Sequence, residues 1–222
     1  FTGINTGINI NLPLGYRVNG QVKMPGTDKA AGDISIDVNA YNNDFYAVTD
    51  TRYIPAGGST VAYSLLLPPA PTRQWVVEYV ITGGGQNKYY HTGYYFNDGL
   101  TSTYIFDDAQ RLYGSQAYSG VNLILLYAST ITGSVVLPDG YTAGPGGIEL
   151  ILSTLNRTVY DGEDSMTVTI PEGGSSAGYT LLMPSTQAYS WEVRYDCRYW
   201  YCGDEESTAK YIAIGWYDGP SA

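Results

Sequence analysis

The sequence repeats itself, and that constrains it more than any single motif. Val18-Asn19-Gly20-Gln21-Val22-Lys23-Met24-Pro25 aligns with Ile131-Thr132-Gly133-Ser134-Val135-Val136-Leu137-Pro138 at an offset of 113 residues. Ile54-Pro55-Ala56-Gly57-Gly58-Ser59 aligns with Ile170-Pro171-Glu172-Gly173-Gly174-Ser175 at an offset of 116. Tyr63, Leu65, Leu66 and Pro68 then match Tyr179, Leu181, Leu182 and Pro184. Trp75-Val76-Val77-Glu78-Tyr79 matches Trp191-Glu192-Val193-Arg194-Tyr195, and Gly93-Tyr94-Tyr95 matches Gly215-Trp216-Tyr217. The order is kept and the offset drifts only by loop insertions. The chain must therefore fold twice into the same small unit.

Within each unit the apolar residues recur with period two, the strand period. Trp191, Val193, Tyr195 and Cys197 point one way while Glu192, Arg194 and Asp196 point the other. Trp75, Val77, Tyr79 and Ile81 repeat this, and Val61, Tyr63, Leu65 and Leu67 form another face. Turn residues punctuate these runs at Pro25-Gly26, Gly57-Gly58, Gly83-Gly84-Gly85, Asp139-Gly140 and Gly173-Gly174. No helix-period stretch of ten residues occurs. Short strands separated by Gly/Pro turns predict an all-β chain of two tandem immunoglobulin-like sandwiches.

Composition narrows the function classes. The net charge is −10 and only 11 residues are basic, so the phosphate affinity that clustered Lys and Arg give is missing, and nucleic acid is not an expected partner. No run of 18 apolar residues is present, so insertion into a membrane by a helix is not expected either. Hydrophobics are 44%, enough for real cores, while charged residues are only 14% and tyrosines number 23. This surface chemistry points to an extracellular protein. Phe1-Thr2-Gly3 opens no basic-then-apolar leader, which implies that any secretion signal has been removed.

The succession G-x-V-x-x-P, G-G-I, I-P-x-G-G-S and Y-x-L-L-x-P resembles the tandem immunoglobulin-like or carboxypeptidase-regulatory-like repeats of bacterial cell-surface and S-layer-associated proteins. The resemblance spans nearly the whole chain and rests on turn and core residues. It implies a stalk, an adhesive array or a structural subunit, and it brings no catalytic residues.

The repeat is out of phase with the chain. Thr6-Gly7-Ile8-Asn9-Ile10-Asn11-Leu12 matches Ser119-Gly120-Val121-Asn122-Leu123-Ile124-Leu125, again at an offset of 113. The first residues thus copy the last strand of a unit. The second unit has no counterpart of residues 103–126. The division expected is an N-terminal donor-type strand over 1–14, a first sandwich over 15–127, and a second sandwich over 128–222 that lacks its closing strand. A sandwich without that strand leaves an apolar groove and unpaired backbone groups. Ile4 belongs to the same segment, and Ile8, Ile10 and Leu12 alternate with Asn9 and Asn11, as a half-buried strand requires. Burying three such side chains is worth roughly 5–9 kcal/mol before ordering costs. The segment can complete the second unit of a neighbouring copy, fold back onto its own chain, or belong to a longer array of repeats. The first arrangement is strand donation, which joins identical subunits head to tail into an open filament.

Other candidate sites are weaker. Cys197 and Cys202 flank Arg198-Tyr199-Trp200-Tyr201. A hairpin loop of this length would place its flanking residues opposite each other, about 4.5–5.5 Å apart at Cα, which suits a disulfide. No histidine lies nearby for a zinc site, although free thiols remain an alternative. Tyr199, Trp200 and Tyr201 would then form a rigid aromatic tip, suited to stacking on a glycan, to a subunit contact, or to packing on neighbouring strands. The acidic runs at Asp107-Asp108, 161–164 and 204–206 lack a calcium-loop pattern and read as solvated loops, so no metal or other cofactor is expected. Asn156-Arg157-Thr158 is the only N-x-S/T sequon and falls near an expected loop, where Asn156 would be accessible to glycosylation. His91, the only histidine, is expected within a strand, and no nucleophile-elbow, P-loop or zinc-protease motif occurs. The sequence therefore points to a non-enzymatic, extracellular filament subunit. The alternative is an adhesive or carbohydrate-binding piece of a larger cell-surface protein.

Overall fold

The computed structural model describes residues 14–42, 47–85, 88–96, 99–156, 164–185, 191–197 and 214–217, and among these there is no α-helix. The strands, in chain order, are β1 (Tyr16–Lys23), β2 (Ile34–Tyr41), β3 (Ala47–Ile54), β4 (Thr60–Leu67), β5 (Ala70–Gly83), β6 (Thr92–Phe96), β7 (Thr101–Thr103), β8 (Leu112–Gly114), β9 (Tyr118–Ser119), β10 (Leu123–Ile124), β11 (Ala128–Val136), β12 (Ile148–Asn156), β13 (Ser165–Ile170), β14 (Ser176–Pro184), β15 (Trp191–Cys197) and β16 (Ile214–Tyr217). The all-β expectation holds. Alternation decides which face is buried: in β2, Ile34, Ile36, Val38 and Ala40 turn inward while the residues between them are partly exposed.

The N-terminal half is a sandwich. One sheet runs β3-β2-β5-β6-β7 with β8 on β5, and the other runs β10-β1-β4 with β9 also on β1. Val18, Leu65 and Leu67 from the second sheet join Ile36, Trp75 and Tyr79 from the first in one core, each of these at most 1% exposed. The C-terminal half sets the sheet β13-β12-β15-β16 against the two-stranded sheet β11-β14. Leu152, Val168, Leu181 and Val193 fill the space between them.

The aligned sequence positions occupy aligned registers. Gly20 pairs with Tyr63 as Gly133 pairs with Tyr179. Tyr79 pairs with Gly93 as Tyr195 pairs with Gly215. The turn geometry repeats as well. Gly57 (φ 77°) and Gly173 (φ 73°) adopt the left-handed conformation that glycine tolerates best. Their amides donate to the carbonyls of Ala30 and Ala143 at 2.8 and 2.9 Å.

The two halves meet end on. Tyr90, Tyr104 and Ile105 pack against Leu126, Ala128, Leu182 and Trp191. The Ser185 amide donates to the Tyr127 carbonyl, and the Ala128 amide to the Lys88 carbonyl, at 2.8 and 2.9 Å. Among the described residues no strand of one half packs along a strand of the other. Two sequence expectations are corrected here. Asn156 is not accessible: it is the last residue of β12, fully buried, and its Nδ2 donates to the Tyr104 hydroxyl at 2.8 Å. The sequence pattern located the end of the strand but not Tyr104 of the first sandwich, which meets it there. His91 lies just before β6 rather than within a strand, and its ring sits 4.4 Å from that of Tyr90. No helix among the described residues is long and apolar enough to cross a membrane.

Candidate assembly site: one covered and one open strand edge

Strand β1 is covered on both edges. One edge pairs antiparallel with β4 along its whole length, from Tyr16↔Leu67 to Lys23↔Thr60. The other edge pairs parallel with β9 (Val18↔Tyr118, Asn19↔Ser119) and β10 (Val22↔Leu123, Lys23↔Ile124). Between and beyond these pairs the Val121 amide donates to the Asn19 carbonyl at 3.2 Å and the Leu125 amide to the Lys23 carbonyl at 2.9 Å. Asn122 contributes its side chain, with Oδ1 accepting from the Gln21 amide at 3.1 Å. Val121, Leu123 and Leu125 are at most 1% exposed and close the core.

The fit of this closing segment depends on two residues of the β1–β4 pair. A Cβ at Gly20 would stand 1.8 Å from the Val121 carbonyl oxygen, so only glycine admits the closing backbone. The hydroxyl of Tyr63, its cross-strand partner, donates to that same carbonyl. Burial pushes the Tyr63 hydroxyl far above its ordinary range, so it stays protonated and remains a donor. Gly120 (φ 74°) turns the chain into the closing segment.

Strand β11 is different. It pairs antiparallel with β14 over nine residues, Ala128↔Pro184 to Val136↔Ser176, and among the described residues no strand pairs with its other edge, where the bond from the Ala128 amide to the Lys88 carbonyl holds only the first residue. The side chains register the difference. Val18 and Val22 are 0% exposed and Tyr63 is 3%, whereas their counterparts Ile131, Val135 and Tyr179 are only half-buried. Trp75 and Tyr79 are fully buried, but Trp191 and Tyr195 are not. Val136 is 65% exposed. Because Gly133↔Tyr179 repeats Gly20↔Tyr63, the edge of β11 presents the backbone groups that β1 gives to its closing segment: the carbonyls of Thr132 and Val136 and the amide of Ser134.

The remaining sequence candidates are placed as follows. Ile4, Ile8, Ile10 and Leu12 lie outside the described residues, as do Tyr199, Trp200, Tyr201 and Cys202. Cys197 ends β15. Among the described residues no group of three or more His, Cys, Asp or Glu could hold a metal ion.

Sequence reasoning missed a polar cluster at the junction of the halves. Lys88 Nζ lies 2.8 Å from Asp28 Oδ2, to which the Tyr89 hydroxyl also donates at 3.0 Å. The Lys88 ammonium also stands over the Tyr89 and Tyr127 rings, 5.4 and 5.9 Å from their centroids. The hydrogen bond from Lys88, with that from Tyr89, holds the Asp28 carboxyl below its ordinary range, and the same contact raises Lys88. Burial lowers His91, and the charge of Asp164 from the other half opposes that. Nothing in the sequence spacing links Asp28 to Lys88; only the return of β5 brings them together. A groove of about 340 Å³ opens nearby, and among the described residues that line it Tyr127 alone is titratable.

No family model matches the chain, and no curated protein matches it. Among solved structures, the fimbrial anchor protein Mfa2 from Porphyromonas gingivalis superposes with a TM-score of 0.32 at 11% identity, covering 81% of this chain and 78% of that one. The tip fimbrial protein Mfa3 from the same organism, truncated at its C-terminus, gives 0.31 at 10%, covering 83% and 78%. CBD12 from CALX1.2 gives 0.22 at 8%, covering 82% and 73%. Likeness at this level carries no functional argument, so the function is argued from the site.

Proposed function

We propose that the chain is a structural subunit of an extracellular, pilus-like filament, joined head to tail by donation of its N-terminal strand into the second sandwich of the next copy. The observation that carries this is the pair of unequal edges: β1 is closed by residues 118–125, β11 has no such partner among the described residues, and residues 6–12 copy 119–125.

Chain reach favours a second copy over closure within one chain. β1 runs toward the junction, with Lys23 beside Ile124, so Tyr16 stands at the outer end of the first sandwich. β11 starts at the junction and runs outward to Val136. The two strands cover about 23 and about 26 Å at roughly 3.3 Å per residue. A donor strand parallel to β11 would end beside Val136, yet residues 12 to 16 span at most about 14 Å. In a neighbouring copy no such gap arises. The short spacer from Leu12 to Gly15 then repeats the spacer from Leu125 to Ala128, which carries one closing segment straight into the next sandwich.

The test is assembly of the purified chain, followed by sedimentation and negative-stain imaging, with and without residues 1–12. Concentration-dependent filaments that vanish on deletion are expected. Filaments that persist without the segment would falsify the proposal, as would a native chain that continues past Ala222 with a closing strand of its own.

A further inference from the structure

Resting on the strand-donation reading, we infer that the acceptor recognises its donor in one register, parallel to β11, with Ile10 beside Val135 and Asn11 beside Val136, through a glycine–tyrosine gate formed by Gly133 and Tyr179. The register follows from transferring the observed closure of β1 through the repeat. Val22↔Leu123 and Lys23↔Ile124 become Val135↔Ile10 and Val136↔Asn11.

Gly7, Ile8, Asn9, Ile10 and Leu12 then each have a task. Gly7 stands where Gly120 takes a φ of 74°, a conformation that a side chain would strain. The Ile8 amide donates to the Thr132 carbonyl, as Val121 does to Asn19. The Ile8 carbonyl passes over Gly133 and accepts from the Tyr179 hydroxyl, as the Val121 carbonyl does from Tyr63. Asn9 offers its Oδ1 to the Ser134 amide, as Asn122 does to Gln21. Ile10 and Leu12 fill the positions of Leu123 and Leu125, both 0% exposed. The Leu12 amide donates to the Val136 carbonyl, as Leu125 does to Lys23.

The acceptor holds the two gate residues in the same pairing. Gly133 keeps the crossing point free of a Cβ, and the three heavy atoms nearest to where one would stand belong to Tyr179, with the hydroxyl at 2.5 Å. In the closed sandwich that space holds the Val121 carbonyl, so the half-buried Tyr179 side chain must shift as the donor carbonyl arrives and then donates to it. A slip by one residue would turn Asn9 and Asn11 into the core. A slip by two would keep the apolar face inward but move Gly7 away from the turn and the Ile8 carbonyl away from Tyr179.

Double-cysteine scanning of the full chain tests this. Asn11→Cys with Val136→Cys places both thiols on the outer face at a Cα separation that a disulfide spans. Oxidised filaments of this variant should run as a ladder of dimers, trimers and higher species without reductant, above the background of the parent chain. Asn9→Cys with Val136→Cys should give no ladder. A ladder from the second pair and not the first would overturn the register while leaving strand donation intact. A cross-linked monomer would overturn the second-copy assignment, and loss of assembly in the unsubstituted chain would overturn both. Tyr179→Phe gives an independent readout: it should raise the critical concentration for assembly about 5- to 10-fold, as loss of one buried hydrogen bond requires. An unchanged critical concentration would remove Tyr179 from the gate.

Discussion

The two halves of this chain use nearly the same strands and turns, but they differ in one edge. In the first, β1 lies between β4 and the segment 118–125, and its core residues Val18, Val22 and Tyr63 are sealed. In the second, β14 is the only strand paired with β11 among the described residues, and Ile131, Val135 and Tyr179 are half-open. A β-sandwich is thus not one indivisible unit. Most of its core forms from the shared strands, while a separate share of burial and hydrogen bonding belongs to the closing segment. The first half shows what closure contributes, and the described residues of the second show the same strands without that contribution.

The comparison can be broken or sharpened by paired substitutions. The largest effect is expected at the apolar side chains of the closing segment. Leu123→Ala should cost about 2–5 kcal/mol in denaturant unfolding of the monomer, whereas Ile10→Ala should leave the monomer unchanged and impair only assembly. Next is the crossing glycine. Gly20→Ala drives a Cβ into the Val121 carbonyl and should cost about 1–3 kcal/mol, since the obstacle is backbone. Gly133→Ala meets a half-exposed tyrosine that can swing aside, so the monomer should lose about 1 kcal/mol or less. Equal losses for the two glycines would show that β11 is already closed in the monomer. The tyrosine pair is smaller again. Tyr63→Phe leaves the buried Val121 carbonyl short of a donor and should cost about 1–2 kcal/mol, while Tyr179→Phe should change the monomer by less than about 0.5 kcal/mol.

The smallest effect is a pH dependence at the junction. Burial lowers the pKa of His91 below its ordinary 6.5, so the folded chain resists a proton that the unfolded chain accepts. The stability linked to His91 is therefore complete above about pH 6.5 and is lost as pH falls toward the folded value. His91→Gln should flatten that limb of a Tm-against-pH curve, and an unchanged limb would assign it elsewhere.

Much of this fold is legible in the residues. Period-two alternation marked the inner faces of β4, β5 and β15, because a strand with one buried face has no other way to pattern its side chains. The repeat marked Gly20 with Gly133 and Tyr63 with Tyr179 as equivalent, but not why a glycine and a tyrosine stand there, since a closing backbone leaves no trace in local pattern. Asn156 shows the opposite failure. Its sequon and its place at a strand end suggested exposure, and Tyr104, 52 residues away, buries it. The Asp28–Lys88 pair escaped notice for the same reason: contacts between distant loops carry no period.

The sequence by itself determined that the chain is β throughout, that it is built twice on one plan, and that a copy of a closing strand precedes the first unit. These are local or self-referential properties, fixed by alternation, turn chemistry and repetition. Only the tertiary structure decided which edge of which strand is covered, that the closing segment runs parallel to β1, and that Gly20 and Tyr63 frame its crossing point. Those depend on which backbones approach within hydrogen-bond distance across a hundred residues, and no local preference encodes that.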